Sequence, residues 1–593
     1  MLDIKHNINN LRSWMEEKNI DALIIPHQDE YLSEYLPPQN ERLHWATGFT
    51  GSAGIAIVGK DKASIFVDGR YTVQVQEQVD KDIFEILHIT DNPYMDWIKD
   101  NFSKDSKIGY DPKLNTPVWL DYASKKLENY NLTSLDENPI DLLWNNRPSS
   151  KVDKALLLSE NYTGESSESK RNKIAEKIKS SGNDCAFISK LDSIMWLLNI
   201  RGNDIPCNPV LLCSGIIHSD SSFDLYIDLN KIPMGLDSHV GENVRIHDLD
   251  TFNDIKNKDE NKKIMFDNNS SNLWSYNIFK LAGYETIKSQ DPCSLPKACK
   301  NDVEINGMKD CHVRDGVAVS KFLYWIDQQV ASDNLIDEEE LASKLDSLRS
   351  EQDLFKGLSF GTISAAGSNA AMCHYSHKNS KIPGKLEMGS IYLVDSGGQY
   401  LDGTTDITRT VAIGDVSDEI KRSFTLVLKG HISLGSVIFP KGTSGHQLDS
   451  LARQYLWEYG LDYDHGTGHG VGHFLNVHEG PQGVGKGGSN VPLENGMVIS
   501  NEPGYYLENQ YGIRCENLVF VKKHENKNRG SFFEFEDLTM APFDKRLFDR
   551  DLLTDSDIIW INNYHEKVYN SVSKDLDNQE EIDWLKQATS PIH

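Results

Sequence analysis

The chain has 593 residues, 38% of them apolar and 25% charged, enough for three to five domains of about 100 to 200 residues each, which excludes a peptide hormone or small scaffold. With 61 basic and 89 acidic side chains the formal charge is −28, which repels nucleic-acid phosphates and anionic lipid; no nucleic-acid or membrane partner is expected. No run approaches the roughly 20 apolar residues of a transmembrane helix, and MLDIKHNINN lacks a basic-then-apolar leader, so the expected location is cytoplasmic.

In chain order, an amphipathic stretch around Leu11 to Glu17 precedes strand-like runs at Ala22–Ile25, Ile55–Val58 and Ser64–Val67, an α/β rhythm. After the polar, Pro-containing break Asn145–Ser150, a helical stretch at Lys173–Ile178 and the run Cys185–Ile188 restart the pattern. Asp21 with Ala22-Leu-Ile-Ile, then Asp29 and Trp45-Ala-Thr-Gly48, is echoed by Asp184 with Cys185-Ala-Phe-Ile, then Asp192, Trp196 and Arg201-Gly202, so two related domains meeting near residue 152 are expected. Asn253–Lys263, rich in Asn, Asp and Lys, reads as a surface connection. Helical spacing returns at Val303–Trp325 and Glu338–Leu348, and again at Leu553–Leu585, before a tail at Pro591–His593 expected to fray. The eight cysteines include no Cys-x-x-Cys pair and read as free, mostly buried thiols.

Chemistry concentrates after residue 358. Ser390–Asp395 and Thr404–Ile413 read as two strands flanking a Gly397-Gly398 turn, a hairpin that brings Asp395 and Asp406 together. Period two puts Thr404, Asp406, Thr408 and Thr410 on one face and Ile407 and Val411 on the other; the plain alternative is that Asp395 and Asp402 merely favour turns. In His465-Gly-Thr-Gly-His469-Gly-Val-Gly-His473, four glycines argue against a helix, and with His478 the density of imidazoles points to function. Met497–Tyr506 and Gly512–Phe520 each read as a strand carrying one Glu, Glu502 and Glu516, costly to bury without a partner; an ion pair with Arg514 would explain Glu516.

Two Asp, one His and two Glu form an oxygen-rich set that suits Mn²⁺, Co²⁺, Fe²⁺ or Mg²⁺ rather than a thiolate zinc site, and four carboxylates balance two divalent ions. Gly480–Lys486 spells the start of a phosphate loop, but Gly487 stands where Ser or Thr is required. Gly466–Gly472 fails the dinucleotide pattern at Val471 and His473.

Asp395-x10-Asp406, His469 in Gly-Thr-Gly-His-Gly-Val-Gly, Glu502 in Asn-Glu-Pro-Gly-Tyr-Tyr and Glu516 in Gly-Ile-Arg-Cys-Glu-Asn resemble the ligand motifs of the M24 metallopeptidases. More narrowly the chain resembles the long, three-domain cytosolic Xaa-Pro aminopeptidases (aminopeptidase P), a likeness extending through Arg42–Gly54, Val67–Tyr71, Asp192–Val210, Lys297–Gly316 and Leu538–Ile592. The resemblance implies an α/β (α+β) chain: two creatinase-like domains, 1–152 and 153–299, then a pita-bread catalytic domain, 300–593, with a helical extension from about residue 530. It implies a dinuclear site, usually manganese with cobalt or zinc as alternatives, in which Asp395 holds one ion, His469 and Glu502 the other, and Asp406 and Glu516 bridge. His374, His465 and His478 match the family's histidines around the metals and substrate, and a homodimer acting on short peptides with proline at position 2 is implied. The usual His-Tyr-x-Pro is here His374-Tyr-Ser-His377, and Cys515, beside Glu516, is expected to face away from the metals.

The mechanism expected on this resemblance is attack by a metal-bridging hydroxide on the scissile carbonyl, with Glu502 relaying the proton and His478 or His374 protonating the prolyl nitrogen. A prolidase acting on dipeptides and a non-enzymatic binding module on the same scaffold are the alternatives; the complete ligand set argues against the second.

Overall fold

The run Ala22–Pro26 has no polar side chain and forms a strand (β1) buried at all positions, as a strand covered on both faces must be. Around it lie Ile55–Gly59 (β2), Ala63–Val67 (β3), Glu85–His88 (β4), Lys107–Tyr110 (β5) and Asn131–Ser134 (β6), in the order β4-β3-β2-β1-β5-β6. The amphipathic stretch is the helix Ile4–Glu17 (α1), which buries Ile8, Leu11 and Met15 on one face. This is a computed structural model, and it describes residues 3–256, 261–380, 382–525 and 531–593. Residues 257–260 of the expected surface connection and residue 530, the expected start of the extension, lie outside the described residues.

The arrangement then repeats. Cys185–Ile188 (β7), Cys213–His218 (β8), Phe223–Ile227 (β9), Val244–Asp248 (β10), Lys263–Phe266 (β11) and Glu285–Lys288 (β12) lie in the order β10-β9-β8-β7-β11-β12, with each pair running as its counterpart does. One carboxylate does the same work in both copies. Asp21, before β1, accepts the backbone N–H of Lys107 at 2.9 Å, and Asp184, before β7, accepts that of Lys263 at 2.8 Å. Each pins the central strand to its parallel neighbour, so the repeat read from the sequence is present in topology and in bonding. Both sheets belong to one compact unit, residues 1–158 and 165–294; residues 159–164 and 295–593 form a second.

The second unit opens with a 30-residue helix, Asp302–Ala331 (α2), started by a capping box between Asn301 and Glu304, and continues with Glu338–Ser350 (α3). Its strands are Phe355–Leu358 (β13), Ile363–Ala366 (β14), Ser390–Ser396 (β15), Gly398–Tyr400 (β16), Gly403–Thr404 (β17), Ile407–Ile413 (β18), Phe439–Pro440 (β19), Gly468–Gly470 (β20), Glu479–Val484 (β21), Val498–Asn501 (β22), Gly504–Leu507 (β23), Tyr511–Arg514 (β24), Asn517–His524 (β25) and Phe532–Asp537 (β26). They form the sheets β14-β15-β18, β13-β16-β17, β19-β26-β25-β22-β20-β21 and β23-β24. Two helices end the chain, Asp555–Val572 (α4) and Gln579–Ala588 (α5). Among the described residues no helix is long and apolar enough to cross a membrane. All eight cysteines are thiols outside any disulfide, five of them buried.

Four expectations are corrected. The hairpin does not turn at Gly397-Gly398: the chain steps at Gly397 into β16, and the turn falls at Leu401-Asp402, where Asp402 pairs with Arg314 at 2.5 Å. Gly397 is required there because a Cβ would meet the Thr405 carbonyl at 1.9 Å. Neither glutamate lies within a strand. Glu502 follows β22, and Glu516 occupies the gap in which the chain leaves β24 for β25 in another sheet. Arg514 pairs with Asp395, not Glu516, because the sheet switch breaks the shared strand face. The C-terminal tail is held, since Asn562 brackets Ile592 with hydrogen bonds of 3.0 and 2.9 Å and Ile592 is buried in the core beneath α4.

Candidate metal centre

Strand register brings the distant carboxylates together. Asp395 sits opposite Thr408 in the β15–β18 ladder, Asp406 immediately precedes β18, and the pairing of Asn501 with Asn517 sets Glu502 and Glu516 at one end of β22 and β25. As period two requires, Ile407 and Val411 enter the apolar core, while Thr408 and Thr410 face β24 and Glu516. His469 arrives on the three-residue strand β20, inside an otherwise irregular glycine-rich loop. Cys515 is buried in the apolar cluster with Ile391, Ala412 and Phe424.

Asp406, His469 and Glu516 offer ligand atoms that all lie within 4.8 Å of one another. His469 Nε2 is 3.4 Å from both Asp406 Oδ2 and Glu502 Oε1. The Gly470 carbonyl lies 3.0 Å from His469 Nδ1 and takes its proton in a hydrogen bond, which leaves Nε2 to face the carboxylates and to serve as the ligand atom once its own proton is displaced. Ser500 ties two candidates together: its Oγ accepts the His469 backbone N–H at 2.9 Å and donates to Glu502 Oε1 at 2.9 Å. Asp395 joins through Arg514, whose Nη2 is 2.5 Å from Oδ2.

The electrostatics call for cations. Burial, with the charges of Asp406 and Glu502, pushes the Asp395 carboxyl up to about 7 despite Arg514. Burial and Asp406, Glu502 and Asp395 push Glu516 far above the carboxylate range. His469 moves up to about 9: burial pulls it down, but Asp406 and Glu502 outweigh that. Two buried oxygens, Asp395 Oδ1 and Glu516 Oε1, have no hydrogen-bond partner, which is costly unless a cation meets them. Four carboxylates, one imidazole and no cysteine in the cluster are a donor set for hard or borderline divalent ions. The residues present therefore fit the pair of divalent ions that the sequence implies.

The three other histidines differ in placement. The His478 ring stands edge-on to that of His469, centroids 4.3 Å apart. His465 is fixed by an ordered chain: Arg514 Nη1 donates to Tyr506 Oη at 2.6 Å, Tyr506 donates to His465 Nε2 at 2.9 Å, and His465 Nδ1–H donates to the Gly466 carbonyl at 2.7 Å. Burial, with Arg514 and Arg453 nearby, holds it down at about 4, hence neutral. A cavity of about 360 Å³ opens beside it, lined by Arg453, Asp464, Gly468 and Lys486. His374 lies in the segment after the turn Gly367–Ala371, next to Cys373, whose carbonyl accepts from Arg514 Nη1 at 3.4 Å; His377 is buried two residues past Tyr375.

Sequence reasoning missed the supports. Thr408 Oγ1 accepts from Arg514 Nε at 2.9 Å and donates to Glu516 Oε2 at 2.7 Å. Arg409, buried, donates to the Glu516 carbonyl at 2.5 Å and to Ala541 and Pro542 carbonyls at 2.7 and 3.1 Å. Glu338, fully buried, accepts from Ala366 N, Asn369, Tyr375 and Gly384 N, fixing the segment that carries His374. A lone Arg within the apolar strand Ile407–Ile413 was the available signal for the second of these.

Residues 306–523 match metallopeptidase family M24 and residues 531–592 the C-terminal region of that peptidase; residues 7–143 and 146–304 each match a creatinase/prolidase N-terminal domain. A probable Xaa-Pro aminopeptidase P of Pyrenophora teres f. teres is 38% identical over 100% of this chain and 93% of its own length. The chain belongs to metallopeptidase family M24. An aminopeptidase P1 of Lotus japonicus is 36% identical over 99% of this M24 chain and 100% of its own. The crystal structure of the X-prolyl aminopeptidase of Caenorhabditis elegans, described as a cytosolic enzyme with a di-nuclear active site, superposes with a TM-score of 0.95 at 34% identity and 100% coverage of both chains. The M24 match contains all five clustered residues, and the two N-terminal matches contain the two copies of the repeated sheet.

Proposed function

We propose that this M24 chain is a dinuclear metalloaminopeptidase that hydrolyses the N-terminal Xaa-Pro bond of short peptides. The observation that carries the reading is the buried cluster of Asp395, Asp406, His469, Glu502 and Glu516, with two carboxylate oxygens left for cations, in a chain whose full-length relatives are named Xaa-Pro aminopeptidases. Asp395 would hold one ion, His469 and Glu502 the other, and Asp406 and Glu516 would reach both; manganese suits the oxygen-rich set. When bound, the ions supply Lewis acidity and bring the pKa of water toward neutrality.

The chain's own residues do the rest. Glu502, oriented by Ser500, accepts the proton released as water attacks the carbonyl. The prolyl nitrogen leaves as a secondary amine and must gain a proton, and His478, against His469, is placed to deliver it. Neutral His465, its ring set by Tyr506, and His374 contact the substrate. A proline pocket gives specificity because an imide nitrogen offers no N–H to bind. On the same reading the chain divides near residues 152 and 299 into two creatinase-like domains and a catalytic domain, in keeping with the family matches, and acts in the cytoplasm as a homodimer.

His478→Ala is expected to lower kcat by about a hundredfold while two ions per chain remain, measured by steady-state kinetics and elemental analysis. Loss of metal would move His478 into the ligand set. A second comparison separates aminopeptidase from prolidase: Arg-Pro-Pro is expected to be cleaved well and the dipeptide Arg-Pro poorly, and the reverse order would replace the reading.

A further inference from the structure

Glu479 follows the proposed proton donor His478, and its side chain is fully buried. Two lysines meet it there. Lys300 Nζ is 2.8 Å from Oε1 and Lys297 Nζ is 2.7 Å from Oε2, and both are almost as deeply buried. One ammonium is enough to balance one carboxylate. Burying a second beside it costs further desolvation. What the second adds is geometry. Lys300 hydrogen-bonds Oε1 and Lys297 stands in ion-pair contact with Oε2, so a different cation faces each oxygen and the carboxylate is held in direction as well as in charge.

The backbone of Glu479 is pressed against the strand that carries His469. Glu479 pairs with Gly470, the residue after His469, across β20 and β21. A Cβ on Gly470 would stand 2.1 Å from the Glu479 carbonyl oxygen, so the two chains meet with no side chain between them. One residue earlier, the His478 ring lies edge-on to His469. Lys300 is itself anchored, its backbone N–H donating to the Gly496 carbonyl at 3.0 Å just before β22, the strand that leads to Glu502.

We infer that Lys297 and Lys300 are positioning residues of the reaction: by gripping both oxygens of Glu479 they hold His478 against His469 in the orientation that delivers its proton to the prolyl nitrogen. This rests on the reading of His478 as the proton donor. Their ammoniums meet the Glu479 carboxylate, and their effect on the reaction passes through the His478 imidazole.

The test is a set of coupled variants in the full-length, Mn²⁺-loaded protein. Lys297→Met and Lys300→Met are each made in the wild type and in His478→Ala; kcat and KM are read on Arg-Pro-Pro, and bound manganese by elemental analysis. Methionine keeps the stem packed, and each single variant leaves one ammonium on Glu479. Each lysine variant is expected to lower kcat by about tenfold with KM within about twofold and both ions retained. In the His478→Ala background the further loss is expected to be under about twofold, because the imidazole being positioned is gone. An equal loss in both backgrounds, an unchanged kcat in the wild-type background, or loss of manganese would overturn the inference while leaving the donor reading in place. If His478→Ala alone leaves kcat intact, the donor reading falls first and the inference with it. Should one lysine variant fail to fold, the other carries the same test on the opposite oxygen.

Discussion

Glu516→Gln is expected to lose turnover by about a thousandfold, equivalent to ~4 kcal/mol of transition-state stabilisation, and to bind fewer than two ions per chain. The substitution keeps the shape, and the hydrogen bonds decide which way the amide points. Thr408 Oγ1 accepts from Arg514, so its single proton is directed at Glu516 Oε2. An acceptor is required at that position. The glutamine carbonyl takes it, and the NH₂ replaces Oε1, the buried oxygen that lacks a partner. A donor then faces the other carboxylates where a ligand oxygen stood. The same variant removes one member of a mutually repelling cluster, so the metal-free protein is expected to melt higher than wild type while metal addition stabilises it less. Calorimetry with and without Mn²⁺ reads both effects, and retention of two ions with full turnover would remove Glu516 from the ligand set.

Arg409→Met carries the second large effect. The guanidinium donates to the carbonyls of Thr408, Glu516, Ala541 and Pro542, to Asn517 Oδ1 and to Tyr564 Oη, and it stacks on Phe543 with its central carbon 4.0 Å from the ring centroid. Removing it leaves buried carbonyls unpaired, which is expected to destabilise the catalytic unit by about 3 kcal/mol or more. It also frees the backbone of Glu516, and support of that kind is worth about 10- to 100-fold in metal affinity. Urea denaturation and manganese titration of the same preparation are expected to show both losses. Weakened folding with unchanged metal affinity would mean that Arg409 secures the C-terminal segment without bearing on the cluster.

How much of this was legible depended on how far a residue's partners lie along the chain. The strand Cys185–Ile188 and the helices beginning near residues 303 and 338 follow from local pattern, because an unbroken apolar run or a 3.6-residue spacing records what covers it. The repeat was readable because Asp21 and Asp184 keep the same station before the same strand. The break at Cys515-Glu516 was not, since the apolar pattern runs on while the chain changes sheets, and nothing local marks that change. All but one of the partners of Arg409 lie more than a hundred residues away, and Lys300 meets Glu479 across 179 positions, so neither contact leaves a motif. The five clustered residues stand out in the sequence as an oxygen-rich set, and likeness to a family divides the ligand roles among them; their convergence is the product of β15–β18 and β22–β25 register, which spacing alone does not encode.

The central claim is metal-dependent cleavage before proline. Metal-stripped protein, with and without added Mn²⁺, is incubated with Arg-Pro-Pro and with Arg-Ala-Ala, and released arginine is read by mass spectrometry. The account predicts release from Arg-Pro-Pro only, and only with the ion present. Release without metal, or equal release from both peptides, would contradict it.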